Sequence, residues 1–191
     1  MKKTLLASAL ILASAAASAA DFKYTYGEIG YGESLGDGDG LYFGGAVDLQ
    51  QGFGLVGAYY LMDYDSSRYG KGDFDIFTIG GQFHTKIGPQ ADFVGSVQLV
   101  NADADCDWYG RDYCDDDTGL LLRGGIRFAI QQNLQLEGDL SYNTNDYWDG
   151  DELGIKAGLR FFVDRQLSLA VGVASDQELD GLWLSGRYDL K

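Results

Sequence analysis

The two cysteines of the chain have the spacing that most directly suggests chemistry. Cys106 and Cys114 bracket seven residues, and no other cysteine occurs among the 191 residues. In an oxidising compartment such a pair is expected to form a disulfide, which would stabilise the fold by about 2–3 kcal/mol on a chain-entropy estimate. A two-thiol metal site is the weaker alternative, because the only histidine, His84, is not close in sequence.

Carboxylates crowd the segment that holds these cysteines. Seven aspartates stand there against the single Arg111: Asp103, Asp105, Asp107, Asp112, Asp115, Asp116 and Asp117. The first three begin like a calcium-binding EF-hand loop, but the sixth position is Trp108 rather than Gly and the twelfth is Cys114 rather than Glu. The EF-hand interpretation therefore fails. A solvated acidic loop is the default and a weak divalent-cation patch is the alternative, and we predict no metal centre and no cofactor.

The first twenty residues have the pattern of a signal peptide. Lys2 and Lys3 precede a short apolar run, and small residues follow where a signal peptidase would cut. We expect residues 1–20 to be removed and residues 21–191 to form one exported domain. Without the two lysines, 12 basic residues face 29 acidic ones, a net charge of −17. This balance argues against nucleic acid as a partner.

A hairpin over residues 118–143 carries charge on one face only. Apolar side chains such as Leu120 and Leu122 alternate with polar ones, as in a strand with one greasy face. The polar faces of this hairpin and of later strands carry seven charges, which we predict to face a lumen: Arg123, Arg127, Glu137, Asp139, Lys156, Arg160 and Arg187. A turn centred on 132 sets Arg127 opposite Glu137, and a turn within 144–151 can set Asp139 near Lys156. Buried charges need such partners.

The same alternation recurs over ten predicted strands. Short connections at 50–52, 87–90, 131–133 and 163–166 alternate with long, acidic ones at 34–40, 63–72, 101–117, 144–151 and 175–180. Short turns at one end and long loops at the other predict an all-β fold, an up-and-down antiparallel transmembrane β-barrel of ten strands, with eight as the fallback. A soluble lipocalin-type barrel is the alternative. The small residues and paired charges of the polar face favour a crowded lumen instead.

The first strand, predicted over roughly 22–32, has an ambiguous phase. Tyr24, Tyr26 and Glu28 share one face, whereas Ile29 and Tyr31 share the other. A bulge or a tyrosine-lined interior would each account for this pattern, and both remain open at this point.

With its signal peptide, amphipathic strands and turn–loop asymmetry, the chain resembles the small bacterial outer-membrane β-barrel family, the OmpA- and OmpX-like barrels and their porin-family relatives. The resemblance covers the mature chain and is architectural. It implies a place in the bacterial outer membrane, with outer-membrane lipid around the barrel and a lumen mostly filled by side chains. Such proteins usually finish on an aromatic residue, whereas this chain ends at Lys191, although Tyr188 and Leu190 keep the apolar phase.

The position of His84 bears on catalysis. Outer-membrane proteases of the omptin type, barrel acyltransferases and lipid deacylases need a histidine near the long loops, whereas His84 lies near the short-turn end. We therefore predict no catalytic residues and no enzyme activity.

Aromatic residues lie in or beside the long loops: Trp108, Tyr109, Tyr113, Tyr147, Trp148 and Trp183. They predict an interfacial girdle at the headgroups, with a binding surface as the alternative.

Two functions follow from these predictions. The favoured one is a structural or narrow, porin-like protein whose charged and largely filled lumen admits small solutes or ions. The alternative is a surface interaction protein, in which the acidic, disulfide-closed loop 101–117 binds an external partner or a divalent cation.

Overall fold

The computed structural model describes residues 22–34, 38–66, 70–108, 111–112, 117–144, 152–176 and 179–190, which are almost entirely strand. The predicted signal peptide and Cys114, one half of the predicted disulfide, lie outside these residues. The strands are β1 (Tyr26–Ser34), β2 (Gly38–Gln50), β3 (Phe53–Ser66), β4 (Gly70–Lys86), β5 (Ala91–Trp108), β6 (Arg111–Asp112), β7 (Asp117–Gln131), β8 (Leu134–Asn143), β9 (Glu152–Phe162), β10 (Leu167–Ser175) and β11 (Asp180–Asp189).

The strands form one closed antiparallel sheet. Each long strand pairs with its neighbours in sequence, and β1 pairs with β11, where Tyr26 lies opposite Asp189 and Gly32 opposite Trp183. The two-residue β6 pairs only with the end of β5. Ten strands therefore close the barrel, as predicted, and the eight-strand fallback is wrong. No helix in the described parts of the chain is long and apolar enough to cross a membrane.

Strict alternation sends apolar side chains outward along every strand of the barrel. In β7, Leu122 is 42% exposed, whereas its neighbour Leu121 is 1% exposed and faces inward. Leu99, Leu140 and Val171 are likewise outward and more than half exposed. A continuous apolar exterior of this kind is stable in hydrocarbon rather than in water. Closure satisfies the strand edges, which in lipid would otherwise leave backbone amides without partners.

The two ends of the barrel differ. Short connections at 51–52, 87–90, 132–133 and 163–166 lie at the end that also holds Phe22 and Leu190, the first and last described residues. We call it the short-turn end. Towards the other end the sheet is taller, because β3, β4, β5 and β7 have 14, 17, 18 and 15 residues, whereas β8 to β11 have 9 to 11.

The sequence prediction placed two loops, 63–72 and 101–117, where the structure has mostly strand. The β3–β4 ladder continues to the pair Ser66–Gly70, and β5 runs on to Trp108. The reason is physical: above the apolar belt both faces of a sheet are wet, so the sequence no longer alternates although the backbone hydrogen bonds continue.

The ambiguous phase of the first strand also has a definite answer. From Tyr26 to Ser34 the register of β1 against β2 runs without a shift, so there is no bulge. Ile29 and Tyr31 are exposed on the outside, and Tyr26 and Glu28 line the interior. Of the two alternatives, the tyrosine-lined interior is correct.

We expect the energetic cost of a charge on the outward face to depend on its depth in the bilayer. Replacing Leu122 by Arg should cost about 2–4 kcal/mol of unfolding free energy, because the guanidinium would enter mid-bilayer hydrocarbon. Urea unfolding in lipid vesicles measures this cost. The matched control is Thr118→Arg, exposed on the same strand four residues nearer its end, where the cost should fall to about 0–1 kcal/mol. Equal costs at the two positions would contradict the assigned belt.

Candidate functional site: the barrel lumen

The barrel encloses a polar cavity of about 190 Å³. The structure places all seven of the predicted lumen charges on its wall: Arg123, Arg127, Glu137, Asp139, Lys156, Arg160 and Arg187. The two predicted cross-strand neighbours also occur in the register, Arg127 opposite Glu137 and Asp139 opposite Lys156. The cavity has a further carboxylate, Glu28, and aromatic walls from Tyr26, Tyr42, Tyr60 and Trp183.

A three-residue ion cluster crosses the lumen, carried by residues in the short-turn half of their strands. Arg160 of β9 donates from Nε to Glu137 Oε1 at 2.8 Å and from Nη2 to Glu28 Oε2 at 3.1 Å. Glu28 belongs to β1 and Glu137 to β8, so the guanidinium joins walls that are remote in the sheet order. Tyr42 and Gln135 donate further hydrogen bonds to the two carboxylates. Charge in a protein interior needs a partner, and in this cluster each buried charge has one. The same side chains obstruct the lumen.

The sequence prediction missed Glu28 and therefore missed one of the two carboxylate partners of Arg160. It also paired Arg127 with Glu137 by register alone, whereas the carboxylate of Glu137 is within ion-pair distance of Arg160. The available signal was the phase of β1, because Glu28 shares its face with Tyr24 and Tyr26.

Aromatic rings contact three further lumen cations: Arg187, Arg127 and Lys156. The guanidinium carbon of Arg187 is 3.7 Å from the centre of the Tyr26 ring, and its Nε is 2.6 Å from Asp189 Oδ1. Arg127 lies 4.7 Å from the Tyr24 ring and 5.8 Å from the Tyr26 ring. Such cation–π contacts hold a charge in place without neutralising it.

Lys156 is held in the same way nearer the other end. Its Nζ lies 4.4 Å from the Trp183 ring and 5.3 Å from the Tyr42 ring. Trp183 is thus a lumen residue, 3% exposed, and its predicted place in the interfacial girdle is wrong. Its neighbours Leu182 and Leu184 point outward. Strict alternation along the strand therefore could have predicted that Trp183 points inward. The indole lies across Gly158 and Gly172, where any Cβ would overlap the ring.

The segment 22–25 folds back into the short-turn mouth of the barrel. Tyr24 stacks on His84 with ring centres 3.5 Å apart and donates to Asp92 Oδ2 at 2.8 Å. Arg127 Nη1 donates to the Lys23 carbonyl at 3.1 Å, and Arg187 donates to the same oxygen. We call residues Phe22–Thr25 the mouth segment. It lines a second, wider cavity of about 1,020 Å³.

His84 lies in this mouth, at the short-turn end, as the sequence predicted. Its Nε2 is 3.4 Å from Asp48 Oδ1, and its ring is covered by Tyr24. The docking of the mouth segment was not predicted, because Phe22–Thr25 was assigned to the first strand.

Carboxylates, all exposed except the half-buried Asp75, form a row on the taller side of the sheet. Asp39 lies opposite Asp63, Asp63 opposite Asp73, and Asp75 opposite Asp103. Among the described residues, no group of three or more His, Cys, Asp or Glu side chains is arranged to hold a metal ion. The predicted disulfide cannot be placed, since Cys114 lies outside the described residues. The same is true of the loop aromatics Tyr109, Tyr113, Tyr147 and Trp148.

No protein-family model and no curated protein matches the sequence. Similar solved structures include Ail, the attachment invasion locus protein of Yersinia pestis, at 14% identity and a TM-score of 0.44, covering 86% of this chain and 93% of that one. The KdgM porin is 10% identical with a TM-score of 0.47, covering 86% and 99%. The β domain of the Bordetella autotransporter BrkA is 13% identical with a TM-score of 0.45, covering 89% and 100%. These similarities concern the fold alone.

The three members of the ion cluster should contribute to the stability of the barrel as one unit. Arg160→Met should destabilise the barrel by about 3–5 kcal/mol, because Glu28 and Glu137 would be left as uncompensated charges. The triple variant Glu28→Gln, Arg160→Met and Glu137→Gln should recover much of this loss, since no charge is then stranded. Urea unfolding in vesicles measures both. Exposed Arg165, in the turn at 163–166, supplies the control Arg165→Met. If the triple variant were less stable than the single one, the cluster would not act as a charge-balanced unit.

Proposed function

We propose that the chain is an outer-membrane protein whose narrow, charged lumen passes small ions or solutes, and that the mouth segment restricts this passage. The apolar exterior and the closed sheet support a place in a bilayer. Short turns at one end of the barrel match the periplasmic side of outer-membrane barrels. In this orientation the mouth segment closes the periplasmic mouth, and the taller sheet faces outward from the cell.

The observation that carries the proposal is a pair of neighbouring cavities inside the barrel. Arg127 and Arg187 line the lumen cavity, and both donate to the carbonyl of Lys23, which lines the cavity at the mouth. Two groups obstruct a path through these cavities: the ion cluster around Arg160 in the lumen, and the ring of Tyr24 beside Arg127. A filled lumen of this kind supports weak conductance rather than the open aqueous channel of a large porin.

Conductance across planar bilayers tests the role of the mouth segment. Wild-type protein should give small current steps, and Tyr24→Ala should enlarge them several-fold, because the ring that covers His84 and Arg127 is removed. Tyr188→Ala is the matched control. It removes a tyrosine from the same end of the barrel, but one that is 49% exposed and points outward, so the current steps should not change.

Two outcomes would contradict the proposal. The first is a barrel that is silent in both the wild-type and the Tyr24→Ala forms. The second is an increase in current of the same size in Tyr24→Ala and Tyr188→Ala, which would indicate loosening of the wall rather than release of the mouth.

A second candidate function is an interaction surface on the taller side of the sheet. The observation that favours it is the row of exposed carboxylates carried by strands that outrun the apolar belt, with Asp63, Asp73 and Asp103 in adjacent strands. Calorimetric titration with Ca²⁺ tests the cation form of this idea. Heat of binding that disappears in the triple variant Asp63→Asn, Asp73→Asn and Asp103→Asn would favour it, and an unchanged titration would count against it.

We further propose that the chain has no catalytic activity. The support is the placement of His84, which contacts Tyr24 and Asp48 in the periplasmic mouth rather than the taller end.

A further inference from the structure

Lys156 and Arg127 differ from Arg160 and Arg187 in having no carboxylate within ion-pair distance. Arg160 has Glu28 and Glu137, and Arg187 has Asp189, all within 3.1 Å. In the described part of the chain, by contrast, no carboxylate oxygen lies within the 4.0 Å ion-pair limit of Lys156 Nζ or of the Arg127 guanidinium. Their contacts are the faces of tyrosine and tryptophan rings and, for Arg127, one backbone carbonyl. A ring face orients a cation but leaves its charge in place.

The wall beside Lys156 offers a second unused donor. The indole Nε1 of Trp183 is buried and has no hydrogen-bond acceptor among the described residues, and its ring lines the same 190 Å³ cavity. Buried N–H groups without an acceptor are uncommon and costly, and such a group at a cavity wall points to a ligand that supplies the acceptor. Lys156 and Trp183 therefore present a positive charge and a hydrogen-bond donor to one space.

The side chains that line this cavity carry more positive than negative charge. Five cationic side chains line it against three carboxylates, those of Glu28, Glu137 and Asp139. Asp189, the partner of Arg187, lies outside this wall. Asp139 is the carboxylate that opposes an anion most directly, because it lies opposite Lys156 in the register of β8 and β9.

We propose that the lumen cavity binds a small anion, a halide or a small oxyanion such as phosphate or a short carboxylate, between Lys156 and the indole N–H of Trp183. The anion supplies a countercharge in direct contact with Lys156 and the acceptor that Trp183 lacks, in a low-dielectric setting where both interactions are stronger than in water. A volume of about 190 Å³ admits such a ligand with some of its water. This inference deepens the proposed function, because it gives the sign of the solute that the lumen prefers.

Quenching of Trp183 fluorescence tests the site without any need for current. In a Trp108→Phe, Trp148→Phe background Trp183 is the only tryptophan. In the refolded full-length barrel, iodide should quench it several-fold more strongly than caesium, with acrylamide as the uncharged reference. Phosphate or acetate at equal ionic strength should protect it from iodide.

Three variants set the direction of the effect. Lys156→Gln should reduce the iodide quenching constant several-fold while acrylamide quenching stays the same. Asp139→Asn should raise the iodide constant, because the opposing carboxylate is neutralised. Arg165→Gln removes an exposed positive charge that lines the mouth cavity but not the lumen cavity, so it should change neither constant.

The inference is overturned if caesium quenches as well as iodide, if Lys156→Gln leaves the iodide constant unchanged, or if no quencher reaches Trp183. Because the readout is optical, a barrel that is silent in bilayers can still show the anion site. Conversely, a conducting barrel without iodide preference would keep the proposed function and lose this site.

Discussion

The pairing of β1 with β11 is the constraint on which the rest of the structure depends. In hydrocarbon an unpaired strand edge leaves a row of amides without hydrogen-bond partners, at a cost of several kcal/mol for each group, so a sheet persists there only when it is closed. Closure fixes two surfaces at once. One side of every strand faces lipid and is apolar, and the other side faces a narrow interior, where ten strands bring polar residues from remote parts of the sequence together.

The cations in the interior are held in two different ways. Around Arg160, carboxylates from β1 and β8 neutralise the guanidinium directly. Around Arg127 and Lys156, aromatic faces hold the cation without neutralising it. The first arrangement fills the lumen, and the second leaves electrostatic potential available to a solute. The mouth segment belongs to the second group, because Tyr24 covers Arg127 and its neighbouring carbonyl accepts hydrogen bonds from two lumen arginines.

The sequence was informative where the two faces of a strand meet different environments, lipid on the outside and the lumen on the inside. Leu122 outside and Arg123 inside follow from a period of two, and so do ten strands and the short turns between them. It was uninformative where both faces meet water, which is why β3 extends to Ser66 and β4 begins at Gly70 within the loop predicted over 63–72. Contacts between remote strands were also out of reach: register predicts Arg127 beside Glu137, but the partnership of Arg160 with Glu28 depends on which walls face each other across the lumen. The prediction for Trp183 was wrong for a different reason. The residue lies beside the predicted loop 175–180, but its phase in β11 points its side chain into the lumen.

Closure of the barrel can be measured directly by cross-linking the seam between its first and last strands. Ile29 and Gly186 are paired partners on the outward face of β1 and β11, a separation suited to a disulfide. In a Cys106→Ser, Cys114→Ser background, Ile29→Cys with Gly186→Cys should oxidise in membranes and give a denatured chain that migrates faster in electrophoresis. Ile29→Cys with Leu169→Cys, one strand further round, should not, because the two residues lie about 10 Å apart. If the seam pair failed to cross-link, or the two pairs cross-linked equally, the closed barrel and its enclosed lumen would be contradicted.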